Sequence, residues 1–342
     1  MIERAQPLGR LTEEEILSQP NAWRTALRRC QEYFPEWRRT AAGPAALTFF
    51  VGCGTSYYLA EAAAAAWRAL AGGEARAVPA SELLLFPELY LRHERSDRFV
   101  LISRSGATTE VVKAAQFCAA EARAQVLAFT CREGSELAAA AAQTFVFPEG
   151  FDRSVVMTRS FTTMLAALIA FAGAEPASLA LLPEAGEALL RRFAPVAEQW
   201  GGRDTAAYVF LGQGPLYGLA REAALKMKEM SLTASEPFHS LEVRHGPKSV
   251  IAARSAVVVL SSAASRQWEE QLLRELAQQG AATLRIDEED GDCALASGLD
   301  LYRRLPLYVL PCQLLALMRA RAQGVDSDRP RALSAVVEVR LA

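Results

Sequence analysis

A short apolar run that enters a glycine-rich turn and leaves as a helix occurs twice in this chain. The first copy reads Phe50-Val-Gly-Cys-Gly-Thr-Ser-Tyr-Tyr-Leu-Ala and the second Phe210-Leu-Gly-Gln-Gly-Pro-Leu-Tyr-Gly-Leu-Ala. Gly52 and Gly54 recur as Gly212 and Gly214, Tyr57 as Tyr217, and Leu59-Ala60 as Leu219-Ala220, all at one spacing. Strand, turn and helix in that order open a βαβ unit with parallel strands. Its repetition implies two similar α/β sandwiches, most simply from duplication. A length of 342 residues suits about two domains, and with half its residues hydrophobic the chain can fill two cores.

Further runs extend each copy. Phe99–Ile102, Val126–Thr130 and Thr144–Phe147 read as strands of the first half. Ala206–Leu211, Val257–Leu260, Thr283–Ile286 and Leu307–Leu310 read as strands of the second. Pro311–Gly324 is expected to form a final helix, with Gly324 as its C-cap. Residues 11–40 are helical in pattern, with Thr12 and Glu15 spaced as a capping box and Pro20 marking a break between two helices. The expected division is a helical segment over 1–40, a first domain over 41–180 and a second over 190–342.

Two turns of the first half carry hydroxyls. Gly52-Cys53-Gly54-Thr55-Ser56 leads into a helix whose N-terminus suits an anion. Ser103-Arg104-Ser105-Gly106-Ala107-Thr108-Thr109 surrounds a glycine with short donors at a strand-to-helix turn, as a phosphate requires. Ordinary N-capping would explain one such hydroxyl, but it does not need four. The second half lacks this cradle in its first turn, where Pro215 and Leu216 stand. It carries instead Glu222, Lys226 and Glu229 on one helix face, then Arg244-His245-Gly246-Pro247-Lys248-Ser249. A carboxylate and a histidine supply both proton carriers of an acid–base site. Taken alone, a solvated helix face and a loop histidine explain the same residues equally well. His239 is an alternative to His245.

Composition narrows the classes. Net charge is −2 with no basic patch, which argues against nucleic acid as the main partner. The six cysteines form no C-x-x-C pair and no cluster with a histidine, so no metal site is expected. They read as reduced thiols of a cytoplasmic protein. No apolar run is long enough to span a membrane, and MIERAQPLGR has no signal core. A dinucleotide cofactor is not expected either, because Tyr57 stands where the third fingerprint glycine belongs.

The motifs GCGTS, SRSGATT, MTRSFTT and ALKMKEMS…EVRHGPKS together resemble the sugar isomerase (SIS) domain family in tandem, over nearly the whole chain. Within it, TEEEI, DRSVVMTRSFTTM and RHGPKS are most similar to the tagatose-6-phosphate ketose/aldose isomerase and galactosamine-6-phosphate deaminase branch. KMKEMS and the D-x-D-x-P-R tail also resemble the isomerase half of glutamine–fructose-6-phosphate aminotransferase. The resemblance implies two tandem flavodoxin-like three-layer αβα sandwiches with parallel sheets. It implies a cofactor-free aldose–ketose isomerase or deaminase acting on a hexose or hexosamine 6-phosphate through an enediol or enolamine. Ser56, Ser103, Ser105 and Thr108 would hold the phosphate, Arg104 would stand where the aminotransferase has a glutamine, and Thr55 would lie near the sugar. Glu229 would move the proton between C1 and C2, Lys226 would orient it, and His245 would assist ring opening from a neighbouring subunit, hence a homodimer.

Two departures matter. The aminotransferase's glutaminase domain has no counterpart, and Ile2 follows the initial methionine, so glutamine-dependent synthesis by this chain alone is not expected. Ala335 stands where the aminotransferase tail has a lysine. The reading from another class is a non-catalytic sugar-phosphate sensor of the same fold; it lacks a helix-turn-helix extension here and leaves the acid–base pair unexplained.

Overall fold

The computed structural model describes residues 7–43, 45–91, 96–120 and 124–336. They fold into two compact units. One comprises Asn21–Phe151 and Arg159–Pro183; the other comprises the stretch ending at Pro20, Asp152–Thr158 and Glu184–Ala335.

The first unit is built on strands β1 (Thr48–Gly52), β2 (Ala75–Pro79), β3 (Arg98–Ser103), β4 (Gln125–Thr130) and β5 (Gln143–Val146). All pair in parallel, in the order β2-β1-β3-β4-β5. The second unit repeats this with β6 (Ala207–Gly212), β7 (Ala234–His239), β8 (Ser255–Leu260), β9 (Ala282–Asp287) and β10 (Cys293–Ala294), in the order β10-β9-β8-β6-β7. Matching strands occupy matching places, so the expected pair of flavodoxin-like parallel sheets flanked by helices is borne out. β1, β3 and β8 are buried along their whole length, as strands covered on both faces must be.

The helices are α1 (Arg10–Leu17), α2 (Gln19–Ala42), α3 (Thr55–Leu70), α4 (Ala80–Leu85), α5 (Thr109–Ala120), α6 (Glu136–Ala140), α7 (Arg159–Phe171), α8 (Leu182–Gly201), α9 (Leu216–Ser231), α10 (Arg266–Gln278) and α11 (Leu305–Ala322). The repeated glycines have a steric cause. A Cβ at Gly52 would lie 2.5 Å from the carbonyl carbon of Ser56, and one at Gly212 2.4 Å from the carbonyl oxygen of Leu216. Helix backbone therefore closes onto the strand end in both copies, and only hydrogen leaves room for it. Gly54 and Gly214 then turn the chain with positive φ, 52° and 58°.

The structure corrects three expectations. Leu307–Leu310 is not a strand but part of α11, which runs unbroken through Pro311. Every residue of α11 from Leu305 to Leu317 is buried, so its sequence shows no helical period, and an apolar run does not distinguish strand from helix. Second, ASEPFH, to which no strand is assigned from sequence, forms β7. It is an edge strand, where Pro237 and charged side chains are tolerated. Third, Thr12 is no N-cap. α1 begins at Arg10 behind Gly9, without a side-chain cap from its own segment. Its exposed amides are met by the tail: Asp328 accepts from the Leu11 amide at 2.9 Å and from the Thr12 amide and hydroxyl at 2.7 Å, while Asp326 accepts from the Gly9 amide at 3.0 Å. Glu15, the other half of the expected box, accepts from the Arg153 and Ser154 amides and the Ser154 hydroxyl instead. The break near Pro20 is present, at Ser18 between α1 and α2.

Candidate active site

In the first sheet the chain leaves β1 toward β2 on one side and reaches β3 on the other. The crevice beyond the C-terminal ends of β1 and β3 is thus a topological switch point, where open α/β sheets bind ligands. Both hydroxyl-bearing turns lie there. Thr55 and Ser56 open α3, whose N-cap, Gly54, offers no side chain to its first amides. The turn after β3 is ordered by its own hydroxyls. Ser103 Oγ accepts from the Gly106 amide at 3.1 Å and lies 3.3 Å from Thr108 Oγ1; Ser105 Oγ accepts from the Ala107 amide at 3.2 Å. Each serine oxygen that accepts an amide keeps a hydroxyl proton to donate.

Gly106 is what lets this turn close. Its φ is +63°, and a Cβ there would lie 2.2 Å from Oγ of Ser135, the N-cap of α6. The Arg104 carbonyl accepts from the Cys131 amide and from Thr130 Oγ1, which ties the turn to the end of β4. Ser103, Arg104, Ser105, Thr55 and Ser56 are all buried, and Thr108 is half-buried.

The acid–base candidates belong to the other unit. On α9, Glu222 and Lys226 have no exposed side-chain surface, whereas Glu229 keeps 20 %. Lys226 Nζ donates to Glu229 Oε2 at 2.5 Å and lies 3.4 Å from Glu222 Oε1. Burial alone would lower the lysine pKa; the two carboxylates reverse this and hold it above its ordinary value. The ammonium is thus a fixed positive charge with one sheltered carboxylate and one that opens to solvent. The helical spacing that suggested a shared face is realised, but the face is internal at Glu222 and Lys226, not a solvated stripe.

His245 is not in that cluster. It is exposed, at the end of a single 3-10 turn over Glu242–Arg244, and Gly246 follows with φ 121°. The loop is pinned from both sides of the histidine: Arg244 and Lys248 reach the two oxygens of Glu275 on α10, at 2.9 and 3.5 Å. Val250, four-fifths exposed, lies in the same loop. His239 ends β7 with its ring stacked on Tyr217, centroids 3.7 Å apart. Its pKa is lowered by burial, which Glu242 only partly offsets. Sequence reasoning placed Glu222 on one face with Lys226 and Glu229 but gave it no role in the site, and its full burial against Lys226 is what the structure adds. His93 lies outside the described residues.

Among the described residues no cluster of three or more His, Cys, Asp or Glu is placed to hold a metal ion, and no helix is long and apolar enough to cross a membrane. Residues 47–174 match the SIS domain. The chain is 32% identical to the D-galactosamine-6-phosphate deaminase of Shewanella sp. (strain ANA-3), over 93% of this chain and 87% of that protein. It is 30% identical to the glutamine–fructose-6-phosphate aminotransferase of Mycobacterium tuberculosis over 85% of this chain, and spans about half (51%) of that protein's length. Among solved structures, the glucosamine-6-phosphate deaminase of Thermotoga maritima matches with a TM-score of 0.80 and 28% identity, covering 96% of this chain and 99% of that one. The tagatose-6-phosphate ketose/aldose isomerase of Escherichia coli matches with a TM-score of 0.84 and 27% identity, covering 95% and 97%.

Proposed function

The chain belongs to the SIS-domain family of phosphosugar isomerases and deaminases, and on that premise we propose that it acts on a hexosamine 6-phosphate by proton transfer between C2 and C1. Ser56, Ser103, Ser105 and Thr108 hold the phosphate, helped by the helix N-termini beside them, and Thr55 and Arg104 complete that end of the site. After ring opening, Glu229 takes the C2 proton and returns it to C1 through an enolamine. The resulting C2 imine is hydrolysed by water, which gives the ketose phosphate and ammonia. Lys226 holds the Glu229 carboxylate in one orientation. His245, exposed on its loop, assists ring opening in the site of a second copy, so the working form is a homodimer. The reaction needs no cofactor in this scheme.

The observation that carries this reading is the buried Glu222–Lys226–Glu229 cluster. A sensor needs the phosphate cradle but has no use for a buried ammonium that fixes a carboxylate open to solvent on one side. The test is a coupled assay with galactosamine 6-phosphate and glucosamine 6-phosphate, scoring ammonia and ketose phosphate together. Equal release of both supports deamination and identifies the sugar. C2 proton exchange on a neutral aldose phosphate without ammonia means an isomerase. Binding of sugar phosphate without either turnover sinks the enzymatic reading and favours the sensor.

A further inference from the structure

The second sheet has its own switch point, between β6 and β8, and the turn after β8 there mirrors the phosphate turn of the first. Sheet register makes the correspondence. Phe50 pairs with Val100, and Phe210 with Val258. Three residues further on stand Ser103 and Ser261, at the same level of their sheets. Thr108 and Ser265 each immediately precede the following helix, α5 and α10. A serine at the strand end and a hydroxyl before the helix are therefore kept in both copies.

The copies part at the fourth residue of the helix. In α5 this is Val112, which packs into the apolar core. In α10 it is Glu269, fully buried. A side chain at this place leans back toward its helix N-terminus. The Glu269 carboxylate accordingly lies in the turn. Oε2 accepts from Ser261 Oγ at 2.6 Å and Ser265 Oγ at 2.9 Å, and Oε1 accepts from Ser240 Oγ at 2.7 Å. Burying a carboxylate is unfavourable, and the apolar residue at the matching place in α5 shows that the fold does not require one. What the carboxylate accomplishes is to satisfy three hydroxyls, drawn from two loops, that converge at the place where this fold offers donors to an oxyanion.

We propose that Glu269 is a built-in stand-in for phosphate: it occupies the oxyanion cradle of the second unit, confines phosphosugar binding to the first, and conceals a latent phosphate site formed by Ser240, Ser261 and Ser265. The confinement to one site rests on the phosphate role proposed above for Ser103, Ser105 and Thr108; the latent site does not.

The experiment is calorimetric titration of the full chain with inorganic phosphate, in the wild type and in Glu269→Ala, Glu269→Gln and Glu269→Ala/Ser261→Ala variants. Glu269→Ala is expected to bind one phosphate per chain more than the wild type. Glu269→Gln, which still fills the cradle, and the double variant are expected to gain none. Equal stoichiometry in the wild type and Glu269→Ala overturns the proposal. A wild type that binds none beside a Glu269→Ala variant that binds one sinks the first cradle's phosphate role and upholds the latent site. Should Glu269→Ala be insoluble in chloride, purification in phosphate at equal ionic strength decides: recovery of folded protein supports the stand-in role, and failure in both buffers overturns it.

Discussion

Lys226 is the residue on which the most electrostatics converges. A lone buried ammonium would shed its charge, and two carboxylates within 3.4 Å prevent this. Truncating one partner of such a cluster leaves a buried charge behind, a loss of about 3–5 kcal/mol. Lys226→Met is thus expected to lower stability by roughly that amount, read by denaturant unfolding, and to depress turnover as well. Glu229→Gln keeps the shape and is expected to reduce turnover by about 10²–10⁴-fold with sugar-phosphate affinity little changed, the signature of a lost proton carrier. A variant with near-normal turnover ends the proposed mechanism. At Gly106 a methyl group meets Ser135 Oγ at 2.2 Å and the backbone at φ +63°. Gly106→Ala is expected to raise KM for the sugar phosphate and to lower Tm together; an unchanged KM would separate the turn from phosphate binding. His239 titrates below its ordinary value of 6.5 because its ring is partly buried, stacked on Tyr217. A depressed pKa means stability that is present above the unfolded value and lost as pH falls through the folded one. Acidification from neutrality is therefore expected to weaken the fold, and His239→Phe, which keeps the stack but not the titration, to lose that increment in unfolding curves taken across the mildly acid range.

At the level of elements, α1 shows how far a cap can come from. Its eight residues begin behind a glycine, and the carboxylates that meet its first amides lie in the tail, at Asp326 and Asp328. An anion at a helix N-terminus gains from hydrogen bonds and from the helix dipole together. Asp328→Ala is expected to cost about 1–2 kcal/mol, visible as a drop in Tm. Arg321, which grips Glu13 with two bonds of 2.8 Å, is a second strap on the same helix. The strands legible in sequence were the central ones and one edge strand, β5. β1, β3, β4, β6, β8 and β9 are apolar because they are covered on both faces. Among the edge strands, β5 was legible through its apolar run with Phe145 buried, whereas β2, β7 and β10 escaped notice because their partly exposed or very short runs impose no apolar pattern. The misreading of Leu307–Leu310 has the opposite cause: α11 is so deeply buried that no polar stripe marks its turns.

For the whole molecule, the proposed arrangement makes each active site depend on two copies, with Glu229 from one and His245 from the other. Mixing Glu229→Gln with His245→Ala, each inactive alone, is then expected to restore about a quarter of wild-type turnover, because half of the randomly reassorted dimers carry one intact site out of two. No recovery after demonstrated subunit exchange would place both residues in one copy's site. The two parallel sheets and the turns at their ends are written into the chain locally. They need only an apolar strand, glycines where the helix backbone closes on the strand, and hydroxyls at a helix start. Which polar groups meet across sequence distance is settled by folding and is not legible beforehand. The tail carboxylates on α1 and the meeting of Ser240 with Glu269 are of this kind, whereas at Lys226 the spacing of its partners was local and only their burial was decided by the fold. No local pattern encodes these long-range pairings, because the free energy that selects a partner for a buried charge depends on what the fold packs around it.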